Sequence, residues 1–221
     1  MLLLVSALAL PVSAHDRRDT MSINRDEPSV YDYYPQHAYG IENNDLYNRL
    51  KGRLIITPQR NGEAYYVSAT EKTVYYLGDN FQALKTLQGL GYGANSATLN
   101  RVAAGYAQLS GYDADRDGLP DKFEEMIGTD SQNFNTDGDR YSDKTEIDHN
   151  YDPTRGDGQR LIMNTNLRGR IFLQVDRNGE AWYMNPVDSK KYWLNTPADM
   201  NNLITKFALG VSNYNFSQLV K

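Results

Sequence analysis

Cysteine is absent from this 221-residue chain, so disulfides, thiolate metal sites and thiol nucleophiles are all excluded. Histidine is scarce: His15, His37 and His149 show no zinc-ligand spacing. No Gly-x-Ser-x-Gly elbow occurs, which removes one common serine-nucleophile arrangement. After the first ten residues no apolar run is long enough to cross a bilayer. No basic patch accompanies the net charge of −5, so nucleic acid is not an expected partner. Without catalytic constellations or disulfides, the chain reads as non-catalytic, with core packing and bound ions as its means of stabilisation.

The first residues are the exception to the lack of apolar runs. Met1-Leu-Leu-Leu-Val-Ser-Ala-Leu-Ala-Leu10 is followed by Pro11-Val-Ser-Ala14 and then by the polar His15-Asp-Arg-Arg. Val12 and Ala14 supply the small residues before a cleavage point, so residues 1–14 are expected to be a signal peptide, although no Lys or Arg precedes the apolar stretch. The expected destination is secretion or the cell surface, with no transmembrane anchor after cleavage. Residues 15–47 lack periodicity and are expected to be loosely structured.

Charge is unevenly spread. Residues 113–152 hold 13 acidic and 4 basic side chains, a net of −9, while the remainder sums to +4. Within the acidic stretch, Asp113-Ala-Asp-Arg-Asp-Gly-Leu-Pro-Asp-Lys-Phe-Glu124 places an oxygen donor at each position a twelve-residue calcium loop uses. Ca²⁺ takes six to eight oxygens, so a short loop must turn several carboxylates onto one point. Asp113, Asp115 and Asp117 stand at positions one, three and five, and Gly118 at six permits a sharp turn. The Leu119 carbonyl, Asp121 and Glu124 complete the set.

A second copy starts 22 residues later, with Asn135, Asp137, Asp139, the Tyr141 carbonyl, Asp143 and Glu146 in the same places. Asn135 is neutral and Arg140 replaces Gly118. If position six must be left-handed, a side chain there costs about 1–2 kcal/mol, and the second site is expected to be the weaker. The expected cofactor is Ca²⁺, two ions in all, with oxygen-only loops closed by a glutamate favouring Ca²⁺ over Mg²⁺.

Ser110-Gly111 interrupts the approach to the first loop, and Pro120 at position eight has no N–H to pair with a partner loop, so an ordinary paired EF-hand is not expected. Short helices are expected from Lys122 to Ile127, ending at Gly128, and from Lys144 to His149, ending before Asn150. The segment Asp113 to Glu125, with Gly128-Thr-Asp130, Asn135 to Glu146 and Tyr151-Asp-Pro153, resembles the bacterial thrombospondin type 3-like calcium repeat. That resemblance covers about 40 residues and implies a structural role for Ca²⁺ in residues 113–153. Ser131 departs from it, standing where a proline is usual. A dockerin, which also uses two loop-helix repeats, is a related possibility. The glutamate at position twelve and the short helices fit it less well.

An internal repeat flanks the acidic stretch. Leu50 to Val67 aligns without gaps on Leu167 to Met184, an offset of 117 residues, and Arg-Asn-Gly-Glu-Ala is identical in both. The register continues through Tyr75-Tyr-Leu77 on Tyr192-Trp-Leu194. Asn61-Gly62 and Asn178-Gly179 predict hairpin turns, a third strand follows each, and Phe81, Leu84 and Leu87 have helical spacing. The expected fold is α+β: two three-stranded antiparallel β-meander plus helix repeats, over 48–94 and 160–221, bracketing the loop-helix calcium module. Leu99, Val102, Ala103, Tyr106 and Leu109 predict a helical connector over 95–112. The repeat resembles an Asn-Gly-Glu-Ala-Trp-Tyr element of exported bacterial proteins.

The aromatic residues of the repeats leave two readings open. Asn178 to Pro186 with Lys191-Tyr-Trp193 is weakly similar to choline-binding cell-wall repeats, which would make Trp182, Tyr183 and Trp193 a ligand platform for wall glycan. Alternation puts Trp182 and Met184 on one face and Ala181 and Tyr183 on the other, so one set is expected to be core. Glu63 and Glu180 suggest the carboxylate pair of a glycosidase, but as equivalent positions beside turns they read as structural. The sequence thus predicts an exported, non-catalytic, calcium-binding protein, structural or adhesive at the surface. A wall-glycan or protein-partner binding module is the alternative.

Overall fold

The computed structural model describes residues 38–220; the expected signal peptide and residues 15–37 lie outside them. The α+β class is observed, in two five-stranded sheets. The expected meanders form the middle of each sheet. In the first, β2 (Leu54–Thr57), β3 (Glu63–Val67) and β4 (Thr73–Tyr76) pair antiparallel. In the second, β7 (Ile171–Gln174), β8 (Ala181–Met184) and β9 (Lys191–Leu194) do the same. Asn61 (φ 56°) and Gly62 (φ 76°) take the left-handed conformations expected of the first turn.

Each sheet gains two short edge strands, so the three-strand count is corrected to five. β1 (Ala38–Gly40) pairs antiparallel with β4, and β6 (Ala104–Gly105) pairs parallel with β9. The other two edges are exchanged between the repeats. β5 (Tyr92–Ala94), which follows the first repeat's helix α2 (Asn80–Gly89), runs parallel to β7 of the second sheet. β10 (Leu209–Gly210), which follows the second repeat's helix α6 (Pro197–Phe207), runs parallel to β2 of the first. The sequence boundaries of 48–94 and 160–221 therefore do not bound separate bodies.

Two further expectations are corrected. Residues 38–47 are ordered: β1 leads to α1 (Asn44–Leu50), capped by the Asn43 side chain accepting from Leu46 N at 3.0 Å. Ile41, Tyr47 and Leu50 are buried, and this apolar anchoring outweighs the weak periodicity. The 95–112 connector is not one helix. Only α3 (Ser96–Leu99) forms before the chain extends into β6, where Ala103 O accepts from Lys191 N at 2.8 Å.

Both faces of each sheet are covered. Between the sheets, Leu54, Tyr66, Tyr75, Ile171, Tyr183 and Tyr192 pack with Leu84 and Leu87 of α2 and with Met200 and Leu203 of α6. The outer face of the first sheet, through Ile55, Tyr65, Val67 and Val74, meets α1 and α7 (Asn213–Leu219). The outer face of the second sheet, through Phe172, Trp182 and Met184, meets the acidic segment. Leu119 lies there with Phe123, Met126 and Ile127 of α4 (Asp121–Ile127) and Ile147 of α5 (Asp143–His149). A buried apolar side chain contributes about 1.5–3 kcal/mol, so this apolar base seats the charged loops on the sheet.

Candidate metal centre

The two acidic loops are built the same way, each folded by its own side chains. Asp113 accepts from Arg116 N (2.7 Å) and Gly118 N (3.0 Å), and Asn135 accepts from Gly138 N (2.8 Å). At position three, Asp115 and Asp137 accept from the N–H two residues on, at 3.1 and 3.0 Å. At position five, Asp117 and Asp139 do the same at 2.7 and 2.6 Å. At position nine, Asp121 accepts from Ala114 N (2.9 Å) and Asp143 from Thr136 N (2.8 Å). These turns curl alternate residues round a centre, as their short side chains favour.

At Asp115, Asp117 and Asp137 the turn uses Oδ1 and leaves Oδ2 over, whereas Asp113 accepts through both of its oxygens. Asp115 Oδ2, Asp117 Oδ2, Glu124 Oε2, Asp137 Oδ2 and Glu146 Oε2 are buried without a hydrogen-bond partner. A buried charged oxygen without a partner is costly, and here five belong to residues at positions three, five or twelve. Ligand atoms converge within 4.8 Å in three groups: Asp113, Asp115 and Asp117; Asp117, Glu124 and Asp143; and Asp137, Asp139 and Glu146. These groups can hold metal ions.

The electrostatics agree with the geometry. Glu124 is fully buried and Glu146 is 2% exposed. Burial first, then the neighbouring Asp115 and Asp117, pushes the Glu124 carboxyl up to about 7. Burial, then Asp137 and Asp139, pushes Glu146 up to about 8. Asp115, Asp117 and Asp143 are also raised, mainly by burial. Without a cation the protein favours protonating this cluster, as expected where like charges are crowded out of water.

The strain expected at position six falls elsewhere. Arg140 is not among the residues with positive φ; the second loop turns at Gly138 (φ 74°). The first loop turns at both Gly118 (φ 96°) and Arg116 (φ 66°). Left-handed strain on a side chain therefore belongs to the first loop, and Arg140 gives no reason for a weaker second site. Asn135 is neutral, and its amide Nδ2 donates to Asp139 O at 3.1 Å.

Of the other expected residues, Leu119 is fully buried and Tyr141 exposed, so the first anchors its loop in the core while the second does not. Asp121 belongs to none of the three converging groups, whereas Asp143 meets residues of the first loop. Thr129 and Thr136 lie outside the expected ligand positions but hold two of the carboxylates. Thr129 Oγ1 donates to Glu124 Oε1 at 3.3 Å, and Thr136 Oγ1 donates to Asp143 Oδ2 at 2.7 Å. Thr136 occupies position two of its loop, where Ala114 stands in the first, a difference legible in the aligned loops.

The aromatic platform is corrected. Trp182 and Tyr183 are buried to within 1%, on opposite faces of β8, with no ring face open to a sugar. Trp182 Nε1 donates to Gln174 Oε1 at 3.0 Å, and Tyr183 Oη donates to Gly52 O at 2.7 Å. Trp193 is half-buried and lines a cavity of about 150 Å³ with Gln108, Asn195 and Asn202. Glu63 accepts from Tyr65 Oη at 2.6 Å, and Glu180 accepts from Asn178 N at 3.1 Å; both brace their turns. No protein-family model matches the chain, and searches of curated proteins and of solved structures find no match either.

Proposed function

We propose that this is an exported, non-catalytic calcium-binding protein, structural or adhesive at the cell surface. Ca²⁺ neutralises the acidic segment and holds it rigid against the second sheet. The observation that carries the reading is the set of five buried carboxylate oxygens without partners, turned inward by two loops of matching pattern. Asp113, Asp115, Asp117 and Glu124 would hold one ion with the Leu119 carbonyl, and Asn135, Asp137, Asp139 and Glu146 a second with the Tyr141 carbonyl. A hard cation with oxygen ligands suits this donor set, and the many carboxylates favour Ca²⁺ over Mg²⁺. The apolar stretch within residues 1–14, read as a signal peptide, is the support for export, and extracellular calcium is plentiful enough for low-affinity sites.

The test is calorimetric titration of Ca²⁺ into chelator-stripped mature protein beside a Glu124→Gln variant, with circular dichroism at both end points. Binding with a gain of order, weakened at one site in the variant, is the expected result. Absence of heat and of spectral change at millimolar Ca²⁺ would sink the reading, since extracellular modules bind at about 10⁻⁴–10⁻³ M. Of the three expected platform residues, Trp193 with its amide neighbours is the one left partly open to a wall glycan, and binding to peptidoglycan fragments that Trp193→Ala abolishes would favour that alternative.

A further inference from the structure

Trp182 and Trp193 are cross-strand partners on β8 and β9, yet their polar atoms are treated differently. Trp182 is fully buried and its Nε1 is held by Gln174. Trp193 is half-buried, and its Nε1 has no hydrogen-bond partner among the described residues. The side-chain amides of Gln108, Asn195 and Asn202 line the same cavity and are equally unpartnered there. Four polar side chains thus surround one half-open ring without bonding to each other or to the fold.

The cavity has three walls. β9, α6 and the turn between them supply Trp193, Asn195 and Asn202, the segment after β6 supplies Gln108, and α4 supplies Lys122 and Phe123. The middle wall is tied both to the second repeat and to the acidic segment. Tyr106 O accepts from Lys206 Nζ of α6 at 2.8 Å, Tyr106 Oη donates to Asp148 Oδ1 of α5 at 2.6 Å, and Tyr112 O accepts from Asp121 N of α4 at 2.9 Å.

We propose that this cavity takes one ring of an uncharged saccharide, and that Ca²⁺ on the first acidic loop strengthens the binding by fixing the α4 wall. At about 150 Å³ there is room for a single six-membered ring. The indole offers an apolar face and a donor, and each carboxamide offers a donor and an acceptor, as a sugar hydroxyl does in return. Lys122 and Asp199 border the cavity with one charge of each sign, and Asp199 Oδ2 already accepts from Thr196 N and Oγ1 at 2.8 Å, so the lining favours neither an anion nor a cation. Lys122 and Phe123 stand between Asp121 and Glu124, so an ion held by Glu124 fixes the stretch of α4 that faces the saccharide. Such coupling is reciprocal, and the saccharide should tighten Ca²⁺ by the same factor.

Only the coupling rests on the calcium reading, and the experiment keeps the two apart. Linear trisaccharides of glucose, mannose and N-acetylglucosamine are titrated by calorimetry into the full mature protein, in Ca²⁺ and in chelator, with tryptophan emission recorded alongside. Of the two tryptophans, Trp182 is fully buried, so a shift in emission reports on Trp193. The expected result is binding of at least one trisaccharide with an emission shift, lost in Trp193→Ala and weakened about fivefold in Asn202→Ala, the loss of one hydrogen bond, with the melting temperature of Asn202→Ala unchanged. Chelator should weaken binding about tenfold, within the usual range for coupled sites. Absence of binding by all three, or equal binding by both variants, would overturn the site. Equal affinity in chelator and in Ca²⁺, with calcium binding measured directly, would overturn the coupling and leave the calcium reading intact. Absence of calcium binding would overturn the calcium reading and the coupling together, while the response of Asn202→Ala would still decide the saccharide site.

Discussion

Gly52 and Gly169 meet backbone against backbone: a Cβ built on Gly52 would lie 2.4 Å from Gly169 Cα, and one on Gly169 would lie 2.3 Å from Gly52 Cα. They are equivalent positions of the repeat, 117 residues apart, and the adjoining hydrogen bonds are reciprocal. Tyr66 Oη donates to Gly169 O at 2.6 Å, and Tyr183 Oη to Gly52 O at 2.7 Å. The repeats are therefore related by an approximate twofold relationship at this contact. The exchange of β5 and β10 follows the same pattern, each repeat lending its trailing strand to the other's sheet.

Gly52→Ala separates close approach from backbone conformation when compared with Gly62→Ala. Both glycines are left-handed, at φ 79° and 76°, but nothing lies within 4 Å of a Cβ on Gly62. Gly62→Ala should cost about 1–2 kcal/mol from conformation alone. Gly52→Ala should cost about 1–3 kcal/mol more, the usual range for overpacking. Urea denaturation of the two variants measures the difference. Equal losses would mean that the repeats separate easily at this point.

The meanders and the acidic loops were legible because their signals are local: Asn61-Gly62 sets one turn, and Asp113 to Glu124 carries its carboxylates within twelve residues. The exchanged edges were not, since Leu209–Gly210 and Tyr92–Ala94 are too short for periodicity and pair with strands far away in the chain. Trp182 and Tyr183 were ambiguous for a related reason. Alternation identifies a solvent face only when one exists, and here the other repeat covers one side and the acidic segment the other. The crossing of Asp143 to the first loop depends on how α4 and α5 pack over that sheet, which loop spacing does not encode.

Protonation and calcium should compete for the acidic segment, each relieving the same crowded carboxylates. Glu124 at about 7 and Glu146 at about 8 lie above the ordinary carboxylate value of 4.5. Between 4.5 and those values the folded state binds more protons than the unfolded, so the metal-free protein should lose stability as pH rises through that window. Calcium requires the ionised carboxylates, so its affinity should rise over the same range. Thermal melts from pH 5 to pH 8, with chelator and with Ca²⁺, should show stabilisation by Ca²⁺ growing with pH. A stabilisation independent of pH would mean that these two glutamates do not bind the ion.

Arg116→Gly should stabilise the protein by about 1 kcal/mol, by relieving a left-handed side chain, whereas Arg140→Gly should give no such gain and lose slightly through added chain entropy. Comparing denaturation midpoints of the two variants in Ca²⁺ tests where the loop strain sits. A larger gain from Arg140→Gly would return the strain to position six.

Lys191 breaks the repeat, since its counterpart 117 residues earlier is the buried Val74. It is 2% exposed, donates to Asn100 Oδ1 at 3.2 Å, and its Nζ lies 4.8 Å from the centre of the Trp182 ring. Burial pulls its amine down from 10.5 to about 7. Between those values the unfolded chain holds a proton that the folded protein does not, so this residue makes stability rise with pH from about 7 towards 10.5. Below pH 7 the folded protein must bury an ammonium group held by one hydrogen bond and one ring face. Lys191→Met fills the same space without a charge and should stabilise the protein by about 1–3 kcal/mol at pH 6, in line with replacing buried ionic groups by apolar ones. It should also remove the rise above pH 7. Chemical denaturation of both proteins at pH 6 and pH 9 reads both effects. An unchanged pH slope in Lys191→Met would show that the amine keeps its proton in the fold, with the Trp182 face and Asn100 sufficient to hold the charge.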